Sequence, residues 1–475
     1  MSFASLTFIG FLAVVLLIYH LLRRREHKYT FLLLASWFFY ASWSPPLLAL
    51  LLFITGLNFY AGARIEQSTS PRARKAWLWT AIVIDLCLLS FFKYAGFLVQ
   101  NSLSVAHWLG WSMSDFTVSI VLPLGISFYT FQAISYTVDV YRGDIKAVGS
   151  FRDFALFLSF FPQLIAGPIV RASEFLPQLE TPPRVTAQHV VDGLHWIVLG
   201  FFKKVFLADQ LAIFVDMVFA DPGSFDAATL RWAIVAYAAQ IYCDFSGYSD
   251  IAIGCGKWLG FELPINFRFP YLSASITEFW QRWHITLGSW LRDYLYIPLG
   301  GSRRGQFRTY FNLMLTFLLC GFWHGASWTY AIWGAYNGLM LCVHRVFRLS
   351  VDGIGWLDRV RASFAYRLGA IFVTFLFYGV GLVCVRSMSW PDAWLVGRTW
   401  LGFEAGLTGR FFLPYWVPML LLLVLAGHLF SGLRAEGCRL LGMPPLVRAA
   451  CYTVAIVLLV VFAPTKNVPF IYFQF

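Results

Sequence analysis

The sequence predicts an all-α polytopic membrane protein, and three observations carry that prediction. Of its 475 residues, 59% are hydrophobic and only 13% charged, whereas soluble domains carry about 25% charged residues. Apolar runs recur along the whole length with no polar or Pro/Gly/Ser-rich linker long enough to separate domains. That points to a single integral-membrane domain over 1–475 rather than the several domains that length alone would suggest. Third, the net charge of +12 arrives in short bursts between the apolar runs: Arg23, Arg24, Arg25 and Lys28; Arg64, Arg72, Arg74 and Lys75; Arg142, Lys146 and Arg152; Arg303, Arg304 and Arg308. This is the positive-inside pattern of a multi-pass protein in contact with anionic lipid headgroups, and it argues against a nucleic-acid partner.

Crossing the hydrocarbon layer as a helix takes about 20 apolar residues. Candidate segments lie near 4–22, 29–44, 46–63, 76–98, 119–140, 153–167, 190–219, 229–255, 307–323, 327–347, 369–386, 411–430 and 446–463. Allowing for short segments, this makes about 11–13 transmembrane or re-entrant helices, with 153–167 and 307–323 the re-entrant candidates. The first run has its basic cluster after it, unlike a secretory signal, and reads as a retained anchor with its N-terminus outside. The second and third are separated by Ser44-Pro45-Pro46, which helix cannot traverse and a tight turn can. The eight cysteines contain no CxxC pair and read as small core residues.

The stretch 257–308 behaves differently. Lys257, Glu262, Arg268, Glu278, Arg282, His284, Arg292, Asp293, Arg303, Arg304 and Arg308 are interleaved there with Trp and Tyr, and no long apolar run exists. Ionisable elements at membrane depth must be enclosed by protein, so this region is expected to form amphipathic or re-entrant helices on the cytoplasmic side. It leads into a helix pair over 307–347.

Ionisable residues within apolar runs are costly, and each is a functional candidate. His324, in Gly321-Phe322-Trp323-His324-Gly325-Ala326-Ser327-Trp328, sits at the junction of two short apolar helices. An enclosed, neutral imidazole can take a proton from an incoming hydroxyl, and Gly321 and Gly325 admit a substrate or another backbone closely. The alternative is an inert interfacial histidine at a helix turn. His284, in Glu278-Phe279-Trp280-Gln281-Arg282-Trp283-His284, is expected on a helix that shares a face with Trp280, Trp283 and Leu287 and carries a Glu278–Arg282 pair at i,i+4. It either faces headgroups or works beside His324. Asp244, Ser246, Tyr248 and Asp250 close the run that begins near Leu230; they either orient a histidine or polar substrate, or cap the helix. Asp244 and Asp250 are six apart and do not share a helical face, which weakens them as an acid/base pair. There is no HExxH, Walker loop, GxGxxG after a strand, or GxSxG elbow. Cys320 and His324 are one loose pair, too little for a zinc site, so no metal is expected.

Taken together, several of these stretches resemble the membrane-bound O-acyltransferase (MBOAT) family, in the branch that contains the alginate O-acetyltransferases. They are Gly125-Ile126-Ser127-Phe128-Tyr129-Thr130-Phe131, Phe161-Pro162-Gln163-Leu164-Ile165-Ala166-Gly167-Pro168, Asp244-Phe245-Ser246-Gly247-Tyr248-Ser249-Asp250, Ser275 through His284, Trp290-Leu291-Arg292-Asp293-Tyr294-Leu295-Tyr296-Ile297, Trp323-His324-Gly325, and the terminal Pro469-Phe470-Ile471-Tyr472-Phe473-Gln474-Phe475. The resemblance implies a helical bundle around a central tunnel, with His324 at the family's essential histidine and His284 at its second one. It implies transfer of an acetyl group from a cytoplasmic thioester, acetyl-CoA, across the bacterial inner membrane for O-acetylation of an exopolysaccharide, helped by periplasmic acetyl-handling proteins. No tightly bound cofactor is expected. Arg303, Arg304 and Arg308 are the residues expected at the donor's phosphates, with Asp244, Ser246, Tyr248, Asp250, Trp323, Arg292 and Asp293 supporting the site or lining the path. Alginate is the first choice of acceptor. Cellulose or peptidoglycan O-acetylation, D-alanyl transfer to teichoic acid, and a non-enzymatic transporter or scaffold of polysaccharide secretion are the alternatives. The transporter reading predicts paired broken helices in repeated halves, which the sequence lacks.

Overall fold

A computed structural model describes residues 5–111, 120–181, 184–403, 408–432 and 443–462, together with Phe3, Ser114 and Phe470. Cys438 and the terminal motif apart from Phe470 lie outside the described residues. The regular elements are helices, and the one β-bridge found joins Phe225 to Arg410. The chain divides into two compact units: Met1–Leu194 with Ala252–Pro264 and Gly325–Ser327, and His195–Ile251 with Ile265–His324 and Trp328–Phe475.

In the first unit, α1 (Leu6–Leu21) starts at Ser5, whose side chain accepts from the Phe8 N–H, as an N-cap should. Helices α2 (Arg25–Ala41) and α3 (Pro45–Gln67) break where the two prolines stand, with Pro45 taking the first position of α3, where its missing N–H costs nothing. The long α4 (Pro71–Trp108) follows, then α5 (Ile126–Arg142). The run at 153–167 is not one helix but two short ones, α6 (Phe151–Ser159) and α7 (Phe161–Leu164), interrupted just before Pro162. The amphipathic α8 (Ala172–Glu180) has no counterpart among the apolar runs. Helices α3, α4 and α5 are clasped by a buried polar trio. Asn58 donates to both carboxylate oxygens of Asp85 at 3.1 and 2.9 Å and accepts from the Thr137 hydroxyl at 2.7 Å, so each helix contributes one member and the costly polar groups satisfy one another.

Helix α9 (Ala187–Phe201) runs on through a π-helical turn, Phe202–Ala208, into α10 (Asp209–Ala220), and α11 (Ala227–Leu259) follows. The second unit then holds α12 (Ile276–Arg282), α13 (Ile285–Leu291), which widens into a π-helical turn at Arg292–Tyr296, α14 (Gln306–His324) and α15 (Trp328–Val351). Beyond these come α16 (Gly355–Arg361), α17 (Phe364–Arg386), α18 (Trp390–Trp400), α19 (Trp416–Gly432) and α20 (Pro445–Val461).

Among the described residues, α3, α4 and α17 are long and apolar enough to cross a membrane by length and composition, and Leu6–Leu21, Trp416–Phe430 and Pro445–Val461 are shorter apolar helices. The other predicted segments are helical but carry the polar groups or breaks described here. Among the described residues this is an all-helical membrane fold, as the composition predicts.

Candidate active site

The site grows from the α14/α15 pair. A side chain at Gly321 would run into the Tyr330 carbonyl and the Gly334 backbone, one at Gly334 into the Phe317 carbonyl, and one at Gly338 into Met314. The two helices therefore meet backbone to backbone, the close approach that small residues permit in membrane helices. They are antiparallel: near one end Arg345 donates to Gln306 at 3.3 Å, and at the other end α14 stops at His324.

His324 is nearly buried and sits edge-on between two indoles, with ring centroids 4.9 Å from Trp323 and 5.0 Å from Trp333. It faces a cleft of about 30 Å³ lined also by Ile241, Trp280, Trp283, Tyr330, Tyr378 and Leu382. That volume has room for a water or two.

His284 is not on a helix, contrary to the sequence expectation. Its backbone has φ 45°, in the left-handed region, and it separates α12 from α13. The helix breaks because the segment 266–268 pairs alongside: Arg268 donates to the Arg282 carbonyl and Ile285 to the Asn266 carbonyl, both at 2.9 Å. A left-handed residue other than glycine costs about 1–3 kcal/mol and persists where its surroundings fix it. The Glu278–Arg282 pair on α12 forms as expected, at 2.6 Å.

Asn266 holds the His284 ring, and the sequence reading missed it. Its Oδ1 accepts from the Thr286 N–H at 3.3 Å and hydroxyl at 3.0 Å and lies 3.2 Å from His284 Nδ1, while its Nδ2 donates to Ser249 at 3.3 Å. A backbone N–H can only donate, so that atom is the amide oxygen, and the His284 nitrogen beside it must be the N–H. In the neutral ring Nε2 then carries the lone pair. Burial holds the ring neutral, pushing its pKa down to about 3. Phe245 packs edge-on against it at 4.7 Å, and Trp323 stands 6.0 Å away. Trp323 thus lies between the two histidines, in contact with both, and the structure brings together three of the sequence candidates: His284, Trp323 and His324.

The α11 candidates serve a different cluster. Asp244 and Asp250 face separate lysines of the π-helical turn: Lys204 bridges Asp209 at 2.7 Å and Asp244 at 2.5 Å, and Lys203 meets Asp250 at 2.7 Å. Lys204, Asp209 and Asp244 are all within a few per cent of full burial. Tyr248 lies under Lys204 and against Phe470, and Ser246 is buried on the same helix. The close approach is again made by glycine, since a Cβ on Gly200 would meet the Gly247 carbonyl and Ile251. Lys203 and Lys204, two consecutive lysines inside an apolar run, were not singled out from the sequence, although they are the signal that could have found this cluster.

Arg292 and Asp293 pair with each other at 2.7 Å on an exposed π-helical turn and do not line the cleft. Arg303 and Arg304 are exposed in the turn before α14, and Arg308 donates to the Leu299 carbonyl at 3.4 Å and stacks over Phe311. None of the three lines the cleft beside His324.

Among the described residues, the helical fold thus encloses two histidines about one indole. Comparison with known proteins makes the class specific: the chain belongs to the membrane-bound O-acyltransferase family, whose profile matches residues 146–389. It is 42% identical over 449 residues, 91% of this chain and 82% of the relative, to a Pseudomonas aeruginosa protein named "Probable alginate O-acetylase AlgI". It is 40% identical to the peptidoglycan O-acetyltransferase of Helicobacter pylori, over 66% of this chain and 64% of that one. A teichoic acid D-alanyltransferase of Streptococcus thermophilus is 31% identical over 48% of this chain and 58% of its own. The protein is a membrane O-acyltransferase.

Proposed function

We propose that the protein transfers an acetyl group from a cytoplasmic thioester, acetyl-CoA, across the bacterial inner membrane for O-acetylation of an alginate-like exopolysaccharide, with periplasmic proteins completing delivery. The observation that carries the reading is His324, a single imidazole at a helix end facing a water-sized cleft walled by indoles. His324 takes the proton of the acceptor hydroxyl as its oxygen attacks the thioester carbonyl. When the tetrahedral adduct collapses, the C–S bond breaks and the same imidazole returns the proton to the leaving thiolate, so the reaction needs no co-reactant. His284, with Nε2 as its lone-pair nitrogen, orients the acceptor or its proton across Trp323. The cleft is far smaller than a sugar, which favours a small acyl group and a hydroxyl presented at its mouth over a polymer drawn inside.

Support for an alginate-like acceptor comes from the relatives that match over most of the chain. The basic ends of α14 and α15 lie together, which under the positive-inside rule supports a cytoplasmic location for them in a multi-pass protein. The test is to replace His324 and then His284 with Ala and measure polymer-bound acetyl at equal protein level in the membrane. Unchanged acetylation in the His324 variant overturns the mechanism.

A further inference from the structure

Acyl transfer passes through a tetrahedral adduct whose former carbonyl oxygen carries a negative charge, and donors aimed at that oxygen are commonly the largest single contribution of an active site. The two histidines have other tasks, since His324 receives the hydroxyl proton and the N–H of His284 is committed to Asn266. Trp280 of α12 lines the cleft together with His324. Both rings stand edge-on to one indole, Trp333, with centroids 5.7 and 5.0 Å from it. The Nε1–H of Trp280 is buried and meets no acceptor among the described residues. An indole N–H can only donate, and its neighbours include the hydrocarbon rings of Phe279 and Phe317, with centroids at 5.4 and 5.1 Å. A buried donor without a partner is costly, and native folds keep few of them.

We infer that Trp280 is a catalytic residue whose indole N–H donates to the acyl carbonyl oxygen as that oxygen becomes negative. The inference rests on the His324 mechanism above but not on the identity of the acyl donor, because every acyl carbonyl presents the same oxygen. As the acceptor oxygen forms its bond to the carbonyl carbon, the π pair of the C=O moves onto the carbonyl oxygen. Trp280 hydrogen-bonds to that pair and keeps its proton. When the pair returns, the bond to the leaving group breaks and the proton held by His324 goes to the leaving atom. Excluded from water, the N–H has no solvent acceptor competing for it, and a hydrogen bond in such surroundings is stronger than in solvent. The donor is also fixed before the reaction. Ser275 caps α12 by accepting from the Glu278 N–H at 3.1 Å, and Thr277 meets His344 of α15 at 2.8 Å. The helix carrying Trp280 is thereby tied to the one carrying Trp333, so little reorganisation is needed as charge develops.

The experiment places benzothienylalanine at position 280 of the full-length protein; this residue keeps the shape of tryptophan and has sulfur where the N–H stands. Trp280→Phe and His324→Ala are run beside it. The initial rate of polymer-bound acetyl is measured in cells at equal protein level in the membrane, and kcat and KM are measured with acetyl-CoA on the purified protein. Benzothienylalanine is expected to lower the rate about 10²–10³-fold, the usual worth of one oxyanion donor, with kcat falling and KM and the melting temperature unchanged. Trp280→Phe is expected to lose at least as much. If Trp280 only packs the wall, the sulfur isostere keeps the full rate and the inference is overturned, whether or not Trp280→Phe folds. A raised KM with kcat unchanged also overturns it, because that marks binding made equally in the ground state. Tyr330 lines the same cleft and is the rival donor: a comparable loss in Tyr330→Phe with none in the isostere overturns the inference in its favour. Unchanged acetylation in His324→Ala defeats the mechanism itself, whereas a loss there with full activity in the isostere defeats the role of Trp280 alone. Purified wild type that turns over no acetyl-CoA defeats that donor, and the rates in cells then decide the role of Trp280.

Discussion

The surroundings of the two histidines differ in kind. His284 is pinned by hydrogen bonds, with Nδ1 on Asn266 Oδ1 at 3.2 Å and its backbone fixed in a left-handed conformation by the neighbouring segment. His324 stands between the ring edges of Trp323 and Trp333 and faces open volume. A ring fixed in one tautomer is suited to orienting a partner, because it presents the same nitrogen at all times. A ring packed among indoles beside a cleft can exchange a proton with whatever enters. In the proposed mechanism this contrast is the reason that proton transfer falls to His324 and positioning to His284.

The sharpest way to break that contrast is His324→Ala, for which polymer-bound acetyl is expected to fall by about 10²–10⁴-fold at equal protein level, the usual worth of a general base. A loss of similar size from His284→Gln, which keeps a polar side chain, would erase the distinction. Next in size is a stability effect. Lys204→Met leaves Asp209 and Asp244 facing each other in a buried site, and breaking such a pair costs about 3–5 kcal/mol, read as a lower melting temperature and less folded protein in detergent. Because Phe245 follows Asp244 and packs on His284, any protein that still folds should also show a reduced rate.

Asn266→Ala comes third. It leaves the Thr286 N–H, its hydroxyl and His284 Nδ1 without their common acceptor, and an orphaned buried group costs about 1–3 kcal/mol. Acetyl transfer is expected to drop roughly tenfold, with Asn266→Asp recovering part of it because a carboxylate oxygen accepts the same three bonds. If Asn266→Ala changes stability and leaves the rate alone, His284 is a structural residue.

How much of this was legible in the sequence depends on the kind of constraint. The helical membrane character and the longer helices follow from apolar runs, whereas the short α8, α12, α13, α16 and α18 do not; the α2/α3 break follows from Ser44-Pro45-Pro46, a local property of the chain. His324 at a helix end and the Glu278–Arg282 pair were likewise readable from spacing. The α12/α13 break at His284 was not, because it is imposed by residues 266–268, and no periodicity within 276–291 announces it. Asn266 gave no signal of its own: an asparagine after a Pro-Ile is an ordinary loop residue until its partners Ser249, His284 and Thr286 are brought to it. Asp244 and Asp250 were noticed, but their lysines sit some forty residues earlier in another helix, so their role became visible only with the fold.

The smallest expected effect tests whether His284 truly stays neutral. Burial lowers its folded pKa to about 3, against about 6.5 in an unfolded chain. Above about pH 6.5 the ring is neutral in both states and its contribution to stability is complete. As pH falls from about 6.5 toward 3 the unfolded chain takes up a proton that the folded protein refuses, so stability declines by up to about 1.4 kcal/mol per pH unit. Melting measured at pH 5 and pH 8 should therefore show a smaller drop for His284→Gln than for wild type, since glutamine has no proton to refuse. In the rate, the same neutrality means that His284 contributes no limb between pH 5 and 9. An acid limb seen in wild type should survive His284→Gln unchanged in position, and its disappearance would transfer the proton-carrying role from His324 to His284.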